Sequence, residues 1–184
     1  MLKIIFSKSW PQNLKPIRRK GFNAPSQKII NSHIRKLEKE WEKGGRRIIK
    51  EISKITNLKW QEKKVICYTT FGIRAQSNPL ILNLRSDVDT LTHELIHRIL
   101  SEPDNWDKIR NNWMSLMKKY QGETQITKIH IVIHAIHAAA LNNLFGKKRF
   151  NEVKARVTDS NYIRSWKIVE KEGYKDIIKK FHGK

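Results

Sequence analysis

A single cysteine, Cys67, stands in 184 residues. That excludes an internal disulfide framework and any zinc ribbon built on several thiolates. A reducing, cytoplasmic home is the expectation for such a chain. Acidic residues are scarce: 17 Asp and Glu stand against 38 Lys and Arg, for a formal net charge of +21. No apolar run approaches the length that spans a bilayer, and Met1 to Phe6 is too short for a signal peptide, so no membrane partner is expected. No internal repeat is present, which excludes a solenoid. The length predicts one domain with appendages.

The charge is unevenly spread. Residues 1–64 carry 18 basic and 5 acidic side chains, residues 65–140 carry 8 and 7, and residues 141–184 carry 12 and 5. The centre is therefore almost neutral and the flanks are strongly basic. Such flanks attract DNA or RNA non-specifically through counterion release. The competing explanation is a lysine-rich surface that serves only solvation. No recognised nucleic-acid motif supports sequence-specific readout.

Residues 1–25 read as a short strand over 2–7 followed by an extended basic arm. The arm carries Pro11, Pro16, Gly21, Pro25 and the run Arg18-Arg19-Lys20. From Ser26 to Thr56 the apolar positions Ile30, Ile34, Leu37, Trp41, Ile48, Ile52 and Ile55 recur at helical spacing, which predicts one long helix. Gly44-Gly45 fills the gap in that stripe and predicts either close packing or a break. Strands are predicted over Lys63 to Thr70 and, after Asn78-Pro79, over Leu80 to Leu84. Pro79 favours an edge position, where an extended peptide could be added as a further strand; Arg74 and Gln76 lie nearby. Trp106 to Tyr120 is a further predicted helix. Asn151 to Phe181 reads as one or two helices interrupted at Gly173.

Between strands and helices lies His93-Glu94-Leu95-Ile96-His97. On a helix, positions i and i+4 share a face, so both imidazoles can reach one metal ion. Glu94, one residue on, sits beside the metal and can take a proton from its bound water. The context is helical. Ser86 or Asp87 can cap, Asp89 follows Ser86 as in a capping box, and Leu91, Leu95, Ile96, Ile99 and Leu100 form an apolar face. Pro103 ends it.

A catalytic zinc ion needs a third protein ligand. The metzincin extension of the motif is excluded, because Leu100 and Pro103 stand where its Gly and third His would be. A later segment, Thr127 to Phe145, reads as a buried helix ended by Gly146. It carries His130, His134 and His137 on one stripe. His134, central in the stripe, is the expected third ligand. His130, His137 and Glu123 are the alternatives. Buried histidines with no metal role would bond to backbone or water instead.

At these residues the chain resembles the gluzincin side of the zincin metallopeptidases. It is most similar to the compact minigluzincins and more loosely to the SprT/Spartan group. The likeness covers roughly Ser26 to Phe145. It implies an α+β, mostly helical, zincin-like single domain. A long backing helix and a small sheet with an edge strand would precede the motif helix, and a metal-ligand helix would follow it. On that basis residues 26–146 are the expected catalytic domain and 147–184 a basic helical extension packed on it. A third His is what the SprT-like group uses, where typical gluzincins use Glu; no Asn-Glu-x-x-x-Asp string is present. Some compact members are latent, with a terminal segment in the zinc site, a role open to His182.

The activity implied is zinc-dependent hydrolysis of a polypeptide substrate. His93, His97 and His134 would hold Zn2+, Glu94 would act as general base, and His137 or Tyr68 would steady the oxyanion. Two alternatives stand beside it: a zinc-binding but catalytically idle module that binds nucleic acid, and a metal-free basic binding protein.

Overall fold

The computed structural model describes residues 2–7 and 25–184. Most of the predicted basic arm, with Arg18-Arg19-Lys20, lies outside the described residues. The fold is α+β and mostly helical. It runs β1 (Lys3–Ser7), α1 (Gln27–Thr56), β2 (Lys64–Thr70), β3 (Ile81–Asn83), α2 (Val88–Ser101), α3 (Pro103–Lys119), α4 (Gln125–Ala155), α5 (Ser160–Glu172) and α6 (Tyr174–Phe181). The residues fall into two compact units. The first comprises Met1–Arg46 and Trp60–Arg98, the second Arg47–Lys59 and Ile99–Lys184.

The first unit is built on a three-stranded sheet in the order β1-β2-β3, parallel throughout. Parallel neighbours need a long crossover, which α1 supplies between β1 and β2. In β2, Val65, Cys67 and Thr69 are buried while Lys64 and Ile66 are exposed, the alternation of a strand with one covered face. Isoleucines and leucines at helical spacing bury one side of α1. Its glycines do not break it. A Cβ on Gly45 would stand 2.3 Å from the Trp41 indole, so Gly45 makes room for that ring, whereas Gly44 faces open space.

The expected edge strand is present as β3, but it is closed to strand addition. The Leu80 carbonyl accepts from Tyr68 on β2 at 2.9 Å. On the outer side Ile81 exchanges both backbone bonds with Gln76, at 2.9 and 3.0 Å. Asn83 likewise gives its carbonyl to the Ser86 N–H and its N–H to Ser86 Oγ. The outward groups an incoming peptide would use are already satisfied within the chain. This corrects the expectation that a substrate adds along that edge.

Helix α2 starts as its sequence dictates, with Asp87 rather than Ser86 as the cap. Asp87 Oδ1 accepts from the Thr90 N–H at 3.0 Å, and Thr90 Oγ1 lies 3.5 Å from the Asp87 N–H in the reciprocal position. Arg98 anchors the other end. It makes two bonds to Glu62, and its Nη1 donates to the Ser77 carbonyl at 2.6 Å.

In the second unit, Pro103 begins α3 instead of merely ending α2. It occupies the first helical turn, and Glu102 before it is extended. Thr124 caps α4 through its side chain, and α4 packs on α5 and α6. Gly146 has φ 81° and interrupts the helix where predicted. The chain then re-enters helix as far as Ala155, within the same compact unit. Contrary to the expectation that no apolar run approaches that length, α4 is long and apolar enough to cross a membrane. Of its most apolar 18 residues, 67% are buried inside the fold, as in the core helix of a globular protein. Gly173 separates α5 from α6 as expected. His182, the tail residue suggested as a latency ligand, instead donates through Nε2 to the Ile55 carbonyl at 2.8 Å.

Candidate metal centre

The first unit presents His93, Glu94 and His97 on consecutive turns of α2. His93 and Glu94 are buried and His97 is half-buried. Their helical spacing turns the two rings toward each other, with centroids 4.9 Å apart and the Nε2 atoms 3.2 Å apart. Two imidazoles bound at about 2.0–2.1 Å to one tetrahedral ion have nitrogens about 3.3 Å apart. The pair therefore has the separation a shared zinc ion would impose. A hydrogen bond between two neutral rings has a similar length, so the distance fits a metal without requiring one. Burial pushes the Glu94 carboxyl up to about 7. That value suits a group that takes and returns a proton near neutrality.

The second unit holds His130, His134 and His137, all buried on α4 as their spacing predicts. The acceptors around them fix two of the tautomers. Only Nδ1–H of His130 can pair with the Ile126 carbonyl, at 2.8 Å, because a carbonyl cannot donate. Its Nε2 therefore carries the lone pair. Burial lowers the pKa of this ring, against the Ile126 carbonyl and Asp159, which favour the proton.

The same logic applies to His134. Ser165 Oγ gives its single proton to the Tyr162 carbonyl at 2.9 Å, so it accepts from His134 Nδ1 at 2.7 Å. His134 Nε2 then also carries a lone pair. His134 stacks on Trp166 with centroids 4.1 Å apart and planes 8° apart, while Tyr162 covers His130 at 4.0 Å. An imidazole whose second nitrogen is held by a carbonyl or hydroxyl is the arrangement found behind metal ligands. His137 is buried with its ring 6.3 Å from Trp166.

Tyr162, Ser165 and Trp166 were not singled out as site residues from the sequence. The available signal was their spacing on α5, at i, i+3 and i+4, which puts them on one face. Glu123, the carboxylate alternative, is engaged by Arg164, whose guanidinium donates to both carboxylate oxygens and lowers its pKa. Tyr68 lies half-buried on β2 in the first unit.

No family model, curated protein or solved structure matches this chain.

Proposed function

We propose that this protein is a zinc-dependent metallopeptidase of zincin type. His93 and His97 hold the ion, and a buried histidine of α4 is proposed as the third ligand. The observation that carries the reading is the 3.2 Å approach of His93 Nε2 to His97 Nε2 on a capped, buried helix, with the Glu94 carboxyl between them in sequence. His130 is preferred to His134 for two reasons within the second unit. Its tautomer is set by a backbone carbonyl, and His134 is only 2% exposed and held between Ser165 and Trp166. His134 then buttresses the His130 ring, 5.5 Å away between centroids.

Zinc, when bound, would acidify a water molecule and polarise the scissile carbonyl. Glu94 accepts the water proton on its carboxylate and returns it to the departing amine. Burial raises the pKa of this carboxyl, which makes it a stronger acceptor for that proton than an exposed carboxylate, although a bound cation would lower it again. With the outward groups of β3 already bonded to Gln76 and Ser86, a polypeptide substrate would not add there as a strand.

The test is metal content of purified protein by mass spectrometry, together with casein hydrolysis. One zinc per chain and chelator-sensitive cleavage are expected. Glu94→Gln should keep the metal and lose hydrolysis. His93→Ala and His130→Ala should each lose metal, whereas His134→Ala should bind it more weakly. Wild-type protein that takes up no zinc on reconstitution would overturn the reading. Zinc lost in His134→Ala but retained in His130→Ala would move the third ligand to His134.

A further inference from the structure

The face of α1 opposite its buried stripe carries an ordered row of cations. Within the first unit, Lys28, Arg35, Lys39, Lys43 and Arg46 are all exposed. At 100° per residue they fall within about 80° of arc, and the row is about 27 Å long at 1.5 Å per residue. Ile34 and Leu37, fully buried, lie on the opposite arc. None of the five cations has an ion-pair partner among the described residues, whereas neighbouring Lys36 pairs with Glu40. Glu42 flanks the row, and Glu38 lies further round the helix.

Solvation alone does not require this order. A soluble helix commonly mixes both signs on its outer face, with Glu and Lys at i, i+4. Here positions 28, 35, 39, 43 and 46, all basic, repeat at intervals of three, four and seven. From Arg35 to Arg46 the cations recur about every 4.5–6 Å along the axis, with Lys28 about two turns before them, so flexible Lys and Arg side chains can reach several phosphates of one strand. A helix of this width also fits the major groove of a duplex. Insertion into a membrane interface would instead call for a row of large apolar residues bordering the cations. Exposed Ile29 is the single large apolar residue on α1 that is clearly exposed.

We infer that the outer face of α1 is a docking surface for nucleic-acid phosphates, without sequence readout. This goes beyond the proposed hydrolysis and does not depend on it, since neither the metal nor Glu94 takes part.

The experiment is fluorescence anisotropy of a labelled random-sequence DNA duplex against the full chain at several salt concentrations. Five phosphate contacts predict a slope of log K on log salt of about −4.5, or about a 500-fold loss between about 50 and 200 mM. The triple variant Arg35→Gln, Lys39→Gln, Lys43→Gln should lower the magnitude of that slope by about 2.7. Removing the same charge from the second unit, by Lys175→Gln, Lys179→Gln and Lys184→Gln, should leave the slope unchanged. All six positions are exposed, and circular dichroism checks that both variants fold. Equal effects of the two triples would overturn the inference, because net charge alone would then explain binding. Binding to phosphatidylserine vesicles but not to the duplex would also overturn it.

Discussion

The clasp at the end of the motif helix gives a sharp energetic prediction. Arg98 follows His97 directly, and its side chain is 14% exposed against 33% for Glu62. Its guanidinium bridges α2, Glu62 and the Ser77 carbonyl. Fully buried pairs cost about 3–5 kcal/mol when one partner is removed, and exposed pairs contribute about 0.2–1 kcal/mol. Glu62 reaches water, so it can be rehydrated, whereas the Ser77 carbonyl loses a charge-assisted donor. Arg98→Met should therefore destabilise by about 2–3 kcal/mol, below the buried-pair figure. For a protein of this size that is a fall in Tm of about 5–10 °C. Thermal melts of Arg98→Met, Glu62→Gln and the double variant form a cycle that isolates the pair. A coupling of about 1.5 kcal/mol is expected; one below about 0.5 kcal/mol would mark the clasp as an ordinary surface pair and refute the reasoning.

Three other outcomes follow from local physics. Burial raises the Glu172 carboxyl, but hydrogen bonds from Lys119 and Tyr120 and the charges of Lys119 and Lys180 outweigh it and hold its pKa below normal. A depressed folded pKa contributes stability above the unfolded value of about 4.3, lost as pH falls through the folded pKa. Urea midpoints of wild type should fall more steeply below pH 4 than those of Glu172→Gln, and parallel curves would contradict the assignment. Gly44→Ala should stabilise by about 0.8–1 kcal/mol, because the new methyl meets nothing. Gly45→Ala should do worse than Gly44→Ala in the same melts, since its methyl would collide with Trp41. Burial pushes the Cys67 thiol up to about 12, so a disulfide reagent at pH 8 should react with it only after unfolding. Stoichiometric labelling of the native protein within minutes would show that β2 opens locally.

The motif helix, its start near Ser86-Asp87 and the break at Gly146 were legible because each rests on local chemistry. Helical periodicity, a side-chain cap and a glycine with positive φ all act within a few residues. The buried stripe of α1 was legible for the same reason, and so was the placement of His93 and His97 on one face.

Other features depended on segments distant in sequence. That Gly44-Gly45 would leave α1 intact was decided by the Trp41 ring lying over Gly45, which periodicity does not report. The parallel order of the sheet depends on β1 pairing with a strand some sixty residues later, Lys3 with Lys64. The closure of β3 depends on Gln76 and Ser86 folding back onto Ile81 and Asn83, although a short apolar run after Pro79 reads as an open edge. The sequence likewise set three histidines on one stripe of α4 but not their tautomers. Those were decided by Ile126 one turn earlier on α4 and by Ser165 on α5, because a histidine's ligating nitrogen is set by whatever holds the other one.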